Sequence, residues 1–127
     1  MQFIHHNKYN SAKRIISDKP HINFIVKTGV IYFNNAAEQI LDLKKGTRIE
    51  FLQSESDPRE WYLAKGTPEG FELKQRHAGG VMISSRAIVQ LLARSLNLID
   101  RVNIKIPLAK EMDPVANAYA LITSAIQ

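Results

Sequence analysis

The chain has 127 residues, with 17 basic and 12 acidic side chains, a net charge of +5 and no cysteine. That length suits one domain with its own core. The composition excludes disulfides, thiolate metal sites and a cysteine nucleophile, and holds no apolar run long enough for a membrane helix. The first residues lack the apolar stretch of a secretory signal, so a cytoplasmic protein with no membrane partner is expected. The positive excess is uneven. Residues 1–30 carry Lys8, Lys13, Arg14, Lys19 and Lys27 against Asp18 alone. A basic segment of this kind suits a polyanion such as nucleic acid.

Residues 1–20 show no regular period and end at Pro20, and read as a basic N-terminal arm. Residues 21–127 read as the domain. Ile22, Phe24 and Val26 alternate with polar residues, the mark of a half-buried strand. Thr28-Gly29 makes a tight turn, and Val30 to Phe33 gives a second strand. Asn34 or Asn35 caps a helix, and Asn35 with Glu38 fits a capping box. Ile40, Leu41 and Leu43 supply its buried side, and Lys44-Lys45-Gly46 stops it. Arg48 to Gln53 is a third strand, with Ile49 and Phe51 on one face. After a polar loop, Trp61 and Leu63 alternate with Tyr62 and Ala64 in a fourth.

The order then recurs. Phe71 and Leu73 alternate in a strand, Ala78-Gly79-Gly80 turns, and Val81 to Ile83 returns. Ser84 or Ser85 caps a longer helix with Ile88, Leu91, Leu92 and Leu96 in one apolar stripe. Val102, Ile104 and Ile106 alternate with Asn103 and Lys105. Tyr119, Leu121 and Thr123 form a last strand, although the alanine-rich stretch 116–126 also suits a short helix. Aligning Gly29 with Gly80 makes the two segments read as copies. The fold class is therefore α+β, mainly antiparallel β with two short helices. It is built from two strand-strand-helix-strand-strand halves, about 21–66 and 67–127.

No catalytic constellation, cofactor motif or metal-ligand spacing emerges, so a non-enzymatic protein is expected. His5-His6 would point to opposite faces of a strand, and Glu55, Asp57 and Glu60 match no calcium loop. Binding is better supported. Lys27 precedes the first turn, while Lys74, Arg76 and His77 precede the matching second turn. With twofold symmetry these groups would lie on one side, suited to a phosphate backbone. Trp61 and Phe71 alternate in phase with Leu63 and Leu73 and are expected in the core. Tyr62 lies on the opposite face and is the better base-stacking candidate.

The stretch Gly29-Val30-Ile31-Tyr32-Phe33, continued by Leu41-Asp42-Leu43-Lys44-Lys45-Gly46-Thr47-Arg48-Ile49-Glu50-Phe51, resembles the AbrB/MazE-like, swapped-hairpin transcription regulators. The resemblance covers about twenty-five residues and the second half fits more loosely. It implies short units that interlock as dimers and bind DNA through basic residues at the first hairpin. A duplicated chain would be that dimer fused. Lys27 carries over, with Arg48 beside it. The chain departs from the family at Val30, where a basic residue is usual, and at Asn34, where proline is usual.

The expected function is DNA binding or regulation, on duplex or single-stranded targets, through Lys27, Arg48, Lys74, Arg76, His77 and Tyr62, aided by Lys13 and Arg14 of the arm. The rival reading is a structural, self-assembling protein of a phage or mobile element. A homo-oligomer fits either.

Overall fold

The computed structural model describes residues 19–126. Lys13 and Arg14, with most of the basic arm, lie outside the described residues. The chain runs β1 (His21–Ile25), β2 (Val30–Phe33), α1 (Asn35–Leu41), β3 (Arg48–Gln53), β4 (Trp61–Lys65), β5 (Phe71–Glu72), β6 (Lys74–Gln75), β7 (Val81–Ser84), α2 (Arg86–Ser95), β8 (Asn103–Pro107) and β9 (Tyr119–Leu121). A 3-10 turn, Thr123–Ala125, follows, so the alanine-rich end holds both a strand and a helical turn. The fold is α+β, and every strand pairing is antiparallel. The order of elements repeats, as expected.

The strands form two sheets, one ordered β6-β7-β2-β1-β8 and the other β5-β3-β4-β9. They join at both edges. β5 and β6 are one run bent at Leu73, and a bridge between Leu108 and Leu121 ties β8 to β9. Hydrogen bonds from Ala109 N to Ala120 O and from Ile122 N to Pro107 O complete that seam. The result is a closed, barrel-like sandwich without a long free edge, which protects it from edge-to-edge association.

The halves interlock. β1 of the first half pairs with β8 of the second, and β5 of the second pairs with β3 of the first. Equivalent strands meet at β2–β7 and at β4–β9. Each such pair is antiparallel, as an approximate twofold axis through both sheets requires. Each half thus contributes strands that the other half needs.

The alignment of the two sequence copies slips by one residue inside the strands. Val30 is half-exposed and Val81 is buried, so this aligned pair faces opposite sides. Tyr32 instead matches Met82, its direct partner across β2–β7. Because side chains alternate with period two, a one-residue offset exchanges the faces.

One core fills the space between the sheets. Ile22, Phe24, Ile31, Val81, Ile83, Ile104 and Ile106 enter it from one sheet, and Ile49, Trp61, Leu63 and Leu121 from the other. Phe24 meets Phe51 across the gap with ring centroids 5.8 Å apart. The helices leave the ends of β2 and β7, which run antiparallel, and so lie at opposite ends. They bury Ala37 and Leu41 of α1 and Val89, Leu92 and Ala93 of α2. Trp61 donates its indole N–H to Ser95 Oγ at 2.9 Å, fastening α2 to the second sheet.

Four apolar residues expected inside are at the surface: Ile40, Leu91, Phe71 and Val102. Leu91 gives way to Val89 and Ala93 in the buried face of α2. Phe71 sits at the bend, where the chain leaves β7 for β3, so its alternation with Leu73 carries it past the core. Val102 precedes β8 and is exposed, although Ile104 and Ile106 are fully buried.

Candidate nucleic-acid interface

The outward face of the first sheet is built by alternation. Where Ile22, Phe24, Ile31, Ile83, Ile104 and Ile106 point inward, the residues between them point out. The strand registers place five of these in one row across the sheet: Lys105, Asn23, Tyr32, Met82 and Lys74. At a strand spacing of about 4.8 Å, the row spans about 19 Å between its two lysines. The Tyr32–Met82 pair lies at the approximate twofold axis.

A polar network holds the middle of this face. Asn103 Nδ2 donates to Asn23 Oδ1 at 3.4 Å, and Asn23 Nδ2 donates to the Tyr32 hydroxyl. Asn23 is only 4% exposed despite pointing away from the core. Its amide is therefore satisfied by side chains that lie over it, as a buried amide requires. Over the Tyr32 ring sits the guanidinium of Arg76, its central carbon 4.2 Å from the ring centroid. This cation–π contact draws Arg76 from the end of the second hairpin onto the sheet face.

Asn34 organises one end of the face. Its Oδ1 accepts from Ala37 N and from His21 N, each at 3.0 Å. Its Nδ2 donates to Lys19 O at 2.8 Å and to His21 Nδ1 at 3.0 Å. Asn34 thus caps α1 and fixes the start of β1 together. Proline could do neither of the jobs its side chain performs. Burial, then the nearby Lys105 cation, lower the His21 pKa, while a hydrogen bond with the Lys19 backbone opposes them. The expected Asn35–Glu38 capping box does not form. Glu38 instead accepts from Val81 N of the other half at 2.8 Å. The second helix is capped by Ser85, whose Oγ accepts from Ile88 N.

The two hairpin turns hold two further candidates. Lys27 and His77 are exposed at these turns. The turns lie at opposite ends of the β2–β7 pair, so Lys27 and His77 do not sit together. Both flank the same sheet. Gly29 has φ 79° and packs on the first residue of α2, where an added Cβ would lie 2.6 Å from Arg86 N. Only glycine allows that approach.

Across β1, β2, β6, β7, β8 and the two turns, the segments 21–33, 74–84 and 103–107 contain Lys27, Lys74, Arg76 and Lys105 and no acidic residue. Among the described residues none of these four makes an ion pair. Lys74 and Lys105 are exposed.

Two candidates fall elsewhere. Arg48 stands in β3 of the second sheet, where it donates to Gly70 O at 3.1 Å and lies 3.8 Å from Glu72. Tyr62 stands on β4, with its hydroxyl donating to Glu60, which raises its pKa to about 12. Neither shares a face with Lys74 and Arg76, because alternation fixes the side of a strand but not its sheet. Lys105, Tyr32 and Asn23 were missed as binding candidates. Their grouping depends on the cross-half β1–β8 pairing, although the acid-free segments were visible in the sequence.

Among the described residues no group of three His, Asp or Glu side chains could hold a metal ion, and no helix is long and apolar enough to cross a membrane. Comparison with protein-family models, curated proteins and solved structures finds no match to this chain.

Proposed function

We propose that this is a non-enzymatic, nucleic-acid-binding protein of regulatory type that works in the cytoplasm. It binds through the outer face of the β6-β7-β2-β1-β8 sheet. The reading rests on one observation: the row from Lys105 to Lys74, with Arg76 over Tyr32, on a sheet whose strands and turns carry no acid. Lys74, Arg76 and Lys105 supply phosphate contacts, and Lys27 and His77 extend them at the two ends. The interlocked halves support kinship with the AbrB/MazE-like regulators, which the string Gly29 to Phe51 first suggested. Fluorescence-anisotropy titration with labelled DNA at two salt concentrations tests the binding. Affinity should fall steeply as salt rises, because neutralised phosphates release counterions. No binding at low salt to duplex or single-stranded DNA would remove the proposal.

A second reading, self-association, draws on Val115, 96% exposed, and Met112, 48% exposed, on the loop before β9. Light scattering on the purified protein tests it, and a monomer at all concentrations would count against it.

A further inference from the structure

We infer that the ligand of this face is an extended single strand whose bases stack at its centre, an inference that rests on the binding reading above. Three features of the geometry lead there. The row between Lys105 and Lys74 is about 19 Å wide, whereas the major groove of B-DNA is about 12 Å wide. A five-stranded sheet face cannot enter that groove. Among the described residues the two helices follow the ends of β2 and β7, so neither rises from the middle of the face to enter it instead.

The second feature is the distribution of chemistry. Cations stand at the edges, Lys105 on β8 and Lys74 on β6, and the centre holds Tyr32, Met82 and the Arg76 guanidinium. A duplex lying on a flat face presents phosphates and leaves central stacking groups unused. A single strand can set its phosphates on the rim and turn its bases inward. The Arg76 guanidinium held over the Tyr32 ring offers a base a planar, charged group on which to stack.

The third feature is space. Where Phe71–Glu72 turns away from β7, a shallow depression of about 300 Å³ opens, lined by Phe71, Glu72, Lys74, Met82, Ile83 and Ser84. It continues the face beyond Met82 and has an exposed aromatic ring and a thioether in its wall. It gives a second base a place beside the Tyr32–Arg76 stack.

The test compares three labelled probes by anisotropy at low salt: a short oligothymidylate, the same strand annealed to its complement, and an abasic phosphodiester strand of equal length. Base stacking is worth about fivefold to a hundredfold in affinity per base. The oligothymidylate should therefore bind at least about fivefold tighter than the abasic strand, and tighter than the duplex. Arg76→Lys keeps the charge and removes the plane. It should therefore weaken oligothymidylate binding by a larger factor than abasic binding, narrowing the ratio between the two probes. Tyr32→Phe keeps the ring and should retain the preference for bases. If all three probes bind alike, or the duplex binds best, the inference fails and the binding reading survives. If none binds, the binding reading itself fails.

Discussion

The two sheets share a core and differ on their outer faces. The strands and turns of the first sheet carry Lys27, Lys74, Arg76 and Lys105 and no acid. The second sheet, with its β3–β4 loop, carries Arg48, Arg59 and Lys65 against Glu50, Glu55, Asp57, Glu60 and Glu72. The use of the cations differs too. Arg48 serves Gly70 and Glu72, and Lys65 donates to Leu41 O at 2.7 Å, where it satisfies a carbonyl at the end of α1. Among the described residues the cations of the first sheet make no ion pair, and Arg76 lies over the Tyr32 ring. The twofold axis explains how this can arise. It exchanges β2 with β7 within the first sheet and β4 with β9 within the second, so the two outer faces are not copies of one another and can differ in charge.

If one core serves both faces, damage on the inner side of the first sheet must unfold the whole molecule. Phe24→Ala should cost about 3–5 kcal/mol, and Phe51→Ala less, because Phe51 is only half-buried. Urea unfolding followed by Trp61 fluorescence, which reports on the second sheet, measures both. A transition of Trp61 unmoved by Phe24→Ala would break the single-core view.

The turns flanking the basic face differ in how tightly they are held. Gly29→Ala meets the Arg86 backbone and a positive φ, and should cost more than about 2 kcal/mol. Gly79 has open space beside it, so Gly79→Ala should cost only about 1 kcal/mol through its φ of 99°. Thermal unfolding of the two variants sharpens the contrast. Equal effects would mean that contact with α2 is unimportant.

The helix caps give the next contrast. Asn34→Ala removes four hydrogen bonds that join α1 to β1 and should cost about 2 kcal/mol or more. Ser85→Ala removes a simple cap and should cost about 1 kcal/mol. Chemical denaturation ranks them, and a reversed order would contradict the role given to Asn34.

The smallest expected effect is the pH dependence from His21. Its folded pKa lies below the ordinary 6.5, so the unfolded chain binds the proton more readily. Stability should therefore fall as pH drops from 6.5 towards the lowered value, and His21→Gln should flatten that slope. Denaturation midpoints across this range provide the check. A slope unchanged in the variant would assign the titration to another group.

Much of the fold was legible because period-two alternation and glycine turns are local signals. Ile22 and Phe24, Trp61 and Leu63, and Ile104 and Ile106 all face inward as their spacing required. What lay beyond reach was pairing between halves. The strand beside β1 is β8, eighty residues away at Asn23 and Asn103, so Lys105 could not be joined to Tyr32 from spacing alone. That Arg48 and Tyr62 stand in the other sheet is hidden from spacing for the same reason. Phe71 and Leu91 show the limit of periodicity where a strand bends or a helix presents only part of its apolar stripe.

The claim that the basic face of the first sheet does the binding is tested most directly by the salt dependence of affinity in two variants. One is the triple substitution Lys74→Ala, Arg76→Ala and Lys105→Ala. The other is Arg59→Ala on the second sheet's loop. Each lost phosphate contact should reduce the slope of log affinity against log salt by about 0.7–0.9, so the triple variant should lose about 2–3 from the wild-type slope. Arg59→Ala should keep the wild-type slope. A triple variant that keeps the full slope, or an Arg59 variant that loses it, would contradict the assignment of the interface to the first sheet.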